Sequence, residues 1–264
     1  MKHIYFLIVL LAISLTGCDD CSDCGKLTTE QLAPPDFSSM ENAKQKKAEF
    51  FAYLYPLAIE ANRQILNEKL LLRGWADQTD ALSDDQVSDI EKTAKYYKVD
   101  CEVFDKTCAN SIHHKIGMVP PSLMMAQAAN ESAWGTSRFA VKGNNYFGQW
   151  CYSKGCGLKP SQRDSDANHE VRQFDSPYAS VKSYIHNINT SMFYKQLRDT
   201  RREAWRQNRK PNGVVLAKGL VKYSERGMDY VQEIQHMIRY NSLLEFDEKF
   251  WIEMDEYRKQ LKQK

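Results

Sequence analysis

Apolar residues recur at Phe50, Leu54, Leu57, Ala61 and Ile65, a spacing that lines one face of a helix from about 42 to 72. Pro56 lies inside this stretch; it lacks an N–H and crowds the preceding turn, so a kink or split is expected there. Ser83-Asp84-Asp85-Gln86 has the form of a capping box, and Val87, Ile90, Ala94 and Tyr97 follow at steps of three and four. A helix over about 84–98 follows from that pattern. The segment 100–117 carries one cysteine pair and is expected to be a loop. Pro120-Pro121 opens another helix, which runs through Leu123, Met124, Ala126, Gln127, Ala128, Asn130 and Glu131 to a stop near Gly135. Residues 140–175 are rich in Gly, Asn, Ser and Asp and predict loops with a short hairpin. Ser176-Pro177 supplies an N-cap and a first-turn proline ahead of Val181, Tyr184, Ile185 and Ile188. Further helical patterns cover about 190–208, 213–222 and 228–240, and a charged amphipathic segment runs from about 242 to the end. The fold class is therefore mainly α, with a long central loop and short hairpin region and additional N-terminal helices.

The first residues have a different character. Met1-Lys2-His3 is a short basic start, and the apolar run Ile4 to Ile13 is far shorter than the ~20 residues a membrane span needs. It has the form of a secretory signal over residues 1–17. Leu15-Thr16-Gly17-Cys18 resembles the bacterial lipobox, in which the cysteine thiol carries a diacylglycerol. Residues 18–41, with Pro34-Pro35, then form a lipid-anchored tether. Asp19-Asp20 resembles the signal that retains lipoproteins in the inner membrane, so the expected location is the periplasmic side of that membrane. The remaining divisions are an N-terminal helical region (42–110), a main domain (111–241) and a C-terminal amphipathic helix (242–264).

Lipidation also alters the cysteine arithmetic. Seven cysteines are awkward in an oxidising compartment, and removing Cys18 leaves six, in the close pairs Cys21/Cys24, Cys101/Cys108 and Cys151/Cys156. Short-loop disulfides within the last two pairs are the natural candidates, although sequence alone leaves the connectivity open. Lys+Arg 36 against Asp+Glu 34 gives a net charge of +2, which offers no polybasic footprint for nucleic acid. The five Trp, fourteen Tyr and eleven Phe suit either a core or the stacking of sugar rings.

The candidate chemistry concentrates at Ala126-Gln127-Ala128-Ala129-Asn130-Glu131-Ser132-Ala133-Trp134-Gly135. Gln127, Ala128 and Trp134 share the face of Glu131 by helical spacing. The negative end of a helix and an adjacent indole both disfavour the carboxylate and raise its pKa. A carboxylic acid that stays protonated near neutral pH is what glycosidic cleavage needs, because the leaving oxygen must receive a proton.

Pro121 to Gly135, followed by Gly143-Asn144-Asn145-Tyr146-Phe147-Gly148, resembles the core of glycoside hydrolase family 73. AQAANESAWG and NNYFG stand where the family has AQAALESGWG and NNLFG, with the expected gap, and the similarity continues through Phe174-Asp175-Ser176-Pro177 to Tyr223 and Tyr230. The resemblance covers roughly residues 110–241. It implies a lysozyme-like helical fold and a peptidoglycan N-acetylglucosaminidase that cuts β-1,4 bonds of glycan strands. By position it places the general acid on Glu131 and the second carboxylate on Glu170, with Asp164 and Asp166 as rivals. Asn144, Asn145, Phe147 and Gly148 correspond to the segment that holds the sugar near the acid, and can equally form a tight turn on the catalytic helix. Tyr223 falls at the family's active-site tyrosine, but Ser224-Glu225 departs from the usual Tyr-Ala-Thr-Asp; Tyr230 is assigned to the core. Gln127, Trp134 and Trp150 are candidate sugar contacts, with a packing role as the alternative for Trp150.

A base at Glu170 implies inversion, with carboxyls roughly 6.5–9.5 Å apart. Otherwise the substrate's 2-acetamido group could attack, or the muramic acid 6-hydroxyl, as in lytic transglycosylases. A non-hydrolytic wall-binding lipoprotein is the rival from another class. The expected partners are glycan strands and, through Cys18, a membrane; no nucleic acid and no second copy of the chain are called for. No cofactor is expected, and the histidines, His113-His114 and His186 among them, lack a shared metal-ligand spacing. His186 is assigned to the core. The basic run from Arg198 to Lys210 is a solvated helix face or a contact for anionic lipid or wall polymer.

Overall fold

A computed structural model describes residues 27–160 and 169–263. The signal segment, Cys18, the Cys21/Cys24 pair, Asp164 and Asp166 lie outside the described residues. The described part is mainly α-helical with one small sheet, in agreement with the expected class. A short turn of helix, α1 (Thr29–Leu32), leads into α2 (Ala43–Asp77), α3 (Asp84–Tyr97), α4 (Lys106–Lys115), α5 (Pro121–Glu131) and α6 (Arg138–Gly143). After the sheet come α7 (Pro177–Thr190), α8 (Lys195–Arg206), α9 (Gly213–Leu216), α10 (Met228–Tyr240) and α11 (Leu244–Leu261).

Helix α5 is the axis. Every residue from Pro121 to Ala129 is buried, so it is clothed by other helices on all sides. Its entry is pinned from two directions. Asn62 of α2 is fully buried, donates to the carbonyls of Ala58 and Val119 (both 2.9 Å) and accepts from the Val119 amide (2.8 Å). Asp247 of α11 accepts from the Ser122 amide (2.8 Å), the Ser122 hydroxyl (2.6 Å) and the Gly213 amide (3.0 Å). An acid over a helix N-terminus meets the positive end of the dipole, and these donors offset the burial that pushes Asp247 up to about 6.

Two expectations need correction. Helix α2 continues through Pro56 without a split. Ala52, whose carbonyl loses its partner, lies on the exposed face, while Phe50, Phe51, Leu54, Leu57, Ala58 and Ile59 bury both sides of the proline. Burial of that apolar face outweighs the roughly 3 kcal/mol cost of an internal proline. The segment 100–117 is not a loop, because α4 occupies most of it. Asp105 caps it by accepting from the Thr107 and Cys108 amides, and Cys108, Ala109 and Ile112 form its buried stripe. The pattern was present, but one of its apolar positions is a cysteine.

The expected capping box at Ser83 and Gln86 is formed, and Ser176 caps α7 by accepting from the Ala179 amide. The expected hairpin is a three-stranded antiparallel sheet of β1 (Trp150–Cys151), β2 (Gly157–Leu158) and β3 (Glu170–Arg172), with β3 in the middle. Trp150 and Leu158 both pair with Val171, while Cys151 pairs with Glu170 and Gly157 with Arg172. A side chain at Gly157 would lie 2.0 Å from the Val171 carbonyl oxygen, so only glycine permits this approach. The disulfides Cys101–Cys108 and Cys151–Cys156 are both present; the second closes the β1–β2 loop.

Candidate active site

Glu131 ends α5 half-buried, with Ser132 as the following cap. Burial is the largest influence on its carboxyl and raises its pKa above the usual carboxylate range. Hydrogen bonds from Tyr230 and Asn130 and the charge of Arg226 oppose that rise, and Glu233 adds to it. The Tyr230 hydroxyl donates to Oε1 at 2.9 Å and the Asn130 amide donates to the same oxygen at 3.3 Å. Oε2 receives no hydrogen bond from the described residues and faces Gly148, where a Cβ would lie 3.3 Å from it. The carboxyl is thus anchored by one oxygen and open at the other.

A buried polar chain stands behind the anchor. Tyr184 of α7 donates to Gln127 Oε1 at 2.6 Å, Gln127 Nε2 donates to the Tyr230 hydroxyl at 2.9 Å, and Tyr230 donates to Glu131. Each link has one donor and one acceptor, which fixes the direction of every proton. Gln127 sits one helical turn before Glu131 and is fully buried, so α5 itself sets the spacing between relay and acid.

Tyr223 stacks on Tyr230, with ring centroids 5.4 Å apart and planes 5° from parallel, and donates to the Phe147 carbonyl at 2.9 Å. Its hydroxyl therefore holds the turn that carries Gly148. Phe147 is buried and stacks on Tyr184 at 4.3 Å. Asn144 takes the left-handed conformation (φ 51°) at the end of α6 and donates to the Phe174 carbonyl at 2.9 Å. Buried Asn145 donates to the carbonyls of Gln149 (2.9 Å) and Arg172 (2.8 Å) and accepts from the amides of Phe147 (3.3 Å) and Gln149 (3.1 Å). With all four bonds internal, Asn145 ties the turn to β3. Gly148 needs its positive φ of 62° and its missing Cβ to lie against the carboxyl.

The other candidates lie beyond α5, on the turn that follows it and on the sheet. After Ser132 the chain turns through three left-handed residues, Ala133, Trp134 and Gly135. This directs the Trp134 indole onto Phe50 (5.7 Å) and Phe51 (5.4 Å) of α2, beneath Lys47. Trp150 lies on β1, 56% exposed, and stacks on His169 at 4.1 Å with planes 13° from parallel. Glu170 is buried on β3; its carboxylate accepts from the amides of Gly155 (3.2 Å) and Gly157 (2.9 Å). One carboxylate oxygen and the sulfurs of Cys151 and Cys156 converge within 4.8 Å. Those sulfurs are joined to each other, so this grouping offers no thiolate to a metal.

Sequence reasoning assigned Tyr230 to the core and gave Tyr184 no role beyond its helix. Tyr230 is indeed buried in the core, and its hydroxyl meets Glu131 there, a partner 99 residues away that no local spacing announces; the Tyr184 hydroxyl meets Gln127. His186 packs on Tyr96 and Tyr97 at 4.2 and 5.7 Å, half-buried rather than deep in the core.

Comparisons with known proteins place the chain among relatives. The family model for glucosaminidases, described as mannosyl-glycoprotein endo-beta-N-acetylglucosaminidase, matches residues 106–243, from the first residue of α4 to beyond α10. The chain is also similar to protein Bax of Escherichia coli (strain K12), with 26% identity over 213 residues, covering 80% of this chain and 75% of that one. No solved structure matches. The helical frame, the desolvated carboxyl on α5 and a family match over more than half the chain lead to one assignment: the chain belongs to the glucosaminidase family of glycoside hydrolases, the family 73 type of N-acetylglucosaminidase that acts on peptidoglycan.

Proposed function

We propose that this enzyme is an endo-β-N-acetylglucosaminidase that cleaves β-1,4 bonds of peptidoglycan glycan strands, with Glu131 as general acid. The observation that carries the reading is the asymmetry of the Glu131 carboxyl: Oε1 is fixed by Tyr230 and Asn130, whereas Oε2 accepts nothing from the described residues. The proton then resides on Oε2, beside the Gly148 backbone, where a glycosidic oxygen can take it. Burial keeps the acid protonated to higher pH than an ordinary carboxylate, and proton donation to the leaving oxygen lets the anomeric carbon develop positive charge. Gln127, Tyr184 and Tyr223 act behind the acid as positioning groups. Trp134 and Trp150 remain the candidate sugar contacts, and Trp150 with its stacked His169 offers the more exposed face.

Glu170 is the proposed second carboxylate, which activates water as the proton leaves Glu131. A second reading is favoured by the amides of Gly155 and Gly157, one on each carboxylate oxygen. In it Glu170 holds the β1–β2 loop and the substrate's 2-acetamido group supplies the nucleophile. Digestion of sacculi by the wild type and Glu170→Gln, with products analysed by mass, separates these readings. The first expects a loss on the order of 10²-fold in Glu170→Gln with its fold intact, and the second activity within about tenfold. Both expect reducing N-acetylglucosamine ends. Anhydro-muramyl ends would instead establish a lytic transglycosylase, and the absence of any sugar ends a wall-binding protein. No helix among the described residues is long and apolar enough to cross a membrane, and attachment at the periplasmic face through a lipid on Cys18 is the proposed location.

A further inference from the structure

A cavity of about 240 Å³ lies near the N-terminal end of α5, between the end of α4, α8 and the last turns of α11. Lys69, Arg198, Arg201, Arg202 and Arg258 contribute to its walls, and among the described residues no aspartate or glutamate does. Ile116, Met118 and Trp205 supply an apolar side. Glu131 sits at the opposite end of α5, roughly 15 Å of helix away.

Part of this charge has a structural explanation. Lys69 donates to the carbonyls of His113 (2.5 Å) and Ile116 (3.0 Å). Arg201 donates to those of Gly117 (2.8 Å) and Lys115 (3.2 Å) and to Asn189 Oδ1 (2.7 Å). Two cations thereby complete the carbonyl end of α4, where positive charge is favourable. Gly117 is required for this, because a Cβ there would lie 2.6 Å from Arg201 Nε. Carbonyls, however, satisfy donors without neutralising charge. Burial, and then Arg201, Arg258 and Arg202, bring Lys69 down to about 7, and burial together with Lys69 brings His113 to about 4. Helix capping also leaves two cations unexplained. Arg258 makes no ion pair among the described residues, and its buried Nε has no acceptor. Among the described residues Arg202 has only the exposed Asp199 at 3.4 Å, an acid already bonded to Lys195.

We propose that this cavity is a binding site for a phosphate group. Several uncompensated cations favour an oxyanion of more than one charge, and guanidinium forks match phosphate oxygens bidentately. The volume admits a phosphate and a few further atoms, and the Trp205 side suits the carbon portion of an ester. The group can come from free phosphate or from the headgroup of a phospholipid.

The test uses the full chain at constant ionic strength, titrated with inorganic phosphate and separately with dihexanoyl phosphatidylglycerol, a soluble phosphodiester lipid. Intrinsic fluorescence, to which Trp205 contributes with four other tryptophans, is one readout, and the melting temperature rises with any ligand bound only by the folded state. The wild type is expected to respond to at least one probe. Arg202→Gln/Arg258→Gln, whose side chains cap no helix, is expected to keep its circular dichroism and its wall-degrading activity while binding at least about tenfold more weakly. A response to phosphate alone assigns the site to the free anion, and tighter binding of the lipid assigns it to a headgroup. Absence of response to both probes overturns the proposal, as does equal binding by the double variant.

Discussion

At the scale of single residues the proposed chemistry depends on how Glu131 is held as well as on its presence. Burial raises its pKa, and the Tyr230 hydroxyl, donating to Oε1, favours the anion and draws the value back. General acid activity is lost as pH rises through that pKa. Tyr230→Phe removes a donor to the charged form, so the alkaline limb of the pH–rate profile is expected to move upward by on the order of one pH unit. kcat should fall as well, because Oε1 loses its anchor. A limb that stays in place or moves downward would contradict the relay from Tyr184 through Gln127. That Gln127 shares the face of Glu131 was legible in the sequence, because one helix carries both at a single-turn spacing, but not that Tyr184 and Tyr230 bury its amide, where a sugar contact was expected. Tyr230 was not, since a tyrosine on an apolar helix face looks the same whether its hydroxyl meets a carboxyl or not. Asn144 and Asn145 were legible as turn residues, but only packing reveals that their bonds go to Phe174, Gln149 and Arg172.

At the scale of elements, α2 decides whether α5 has a frame. It packs against α4, α5, α7 and α11, and Asn62 holds the start of α5. At the other end of α5, Phe50 and Phe51 receive Trp134, while Phe37, from the segment before α2, lies so close to Gly135 that a Cβ would meet its ring at 2.4 Å. The helical region before α4 therefore completes the core around residues 106–243. A chain cut to those residues would expose the faces of Val119, Trp134 and Tyr146. It is expected to show no cooperative thermal transition and no activity, whereas a cooperative melt with retained hydrolysis would contradict this view. Helices α3 and α7, with stripes and polar caps, were legible in full, α10 from its stripe and α5 from its first-turn proline. Helix α4 was obscured by its cysteine, and continuity through Pro56 is a tertiary effect that no local rule contains. The β1–β3–β2 order was equally hidden, because two- and three-residue strands leave no periodic trace.

At the scale of the whole molecule, one buried helix separates two environments. Its N-terminal end adjoins a cavity of uncompensated positive charge, and its C-terminal end presents a desolvated acid. A net charge of only +2 conceals that local imbalance. The proposed function rests on proton donation by a single carboxyl. The most direct measurement is therefore kcat for Glu131→Gln on purified sacculi, with circular dichroism verifying the fold. Glutamine keeps the shape and can still accept from Tyr230, but it has no acidic proton. A loss of at least about 10²-fold is predicted, the low end of what general acid catalysis contributes. Activity within about tenfold of the wild type, in a folded variant, would contradict the assignment of Glu131 as the acid.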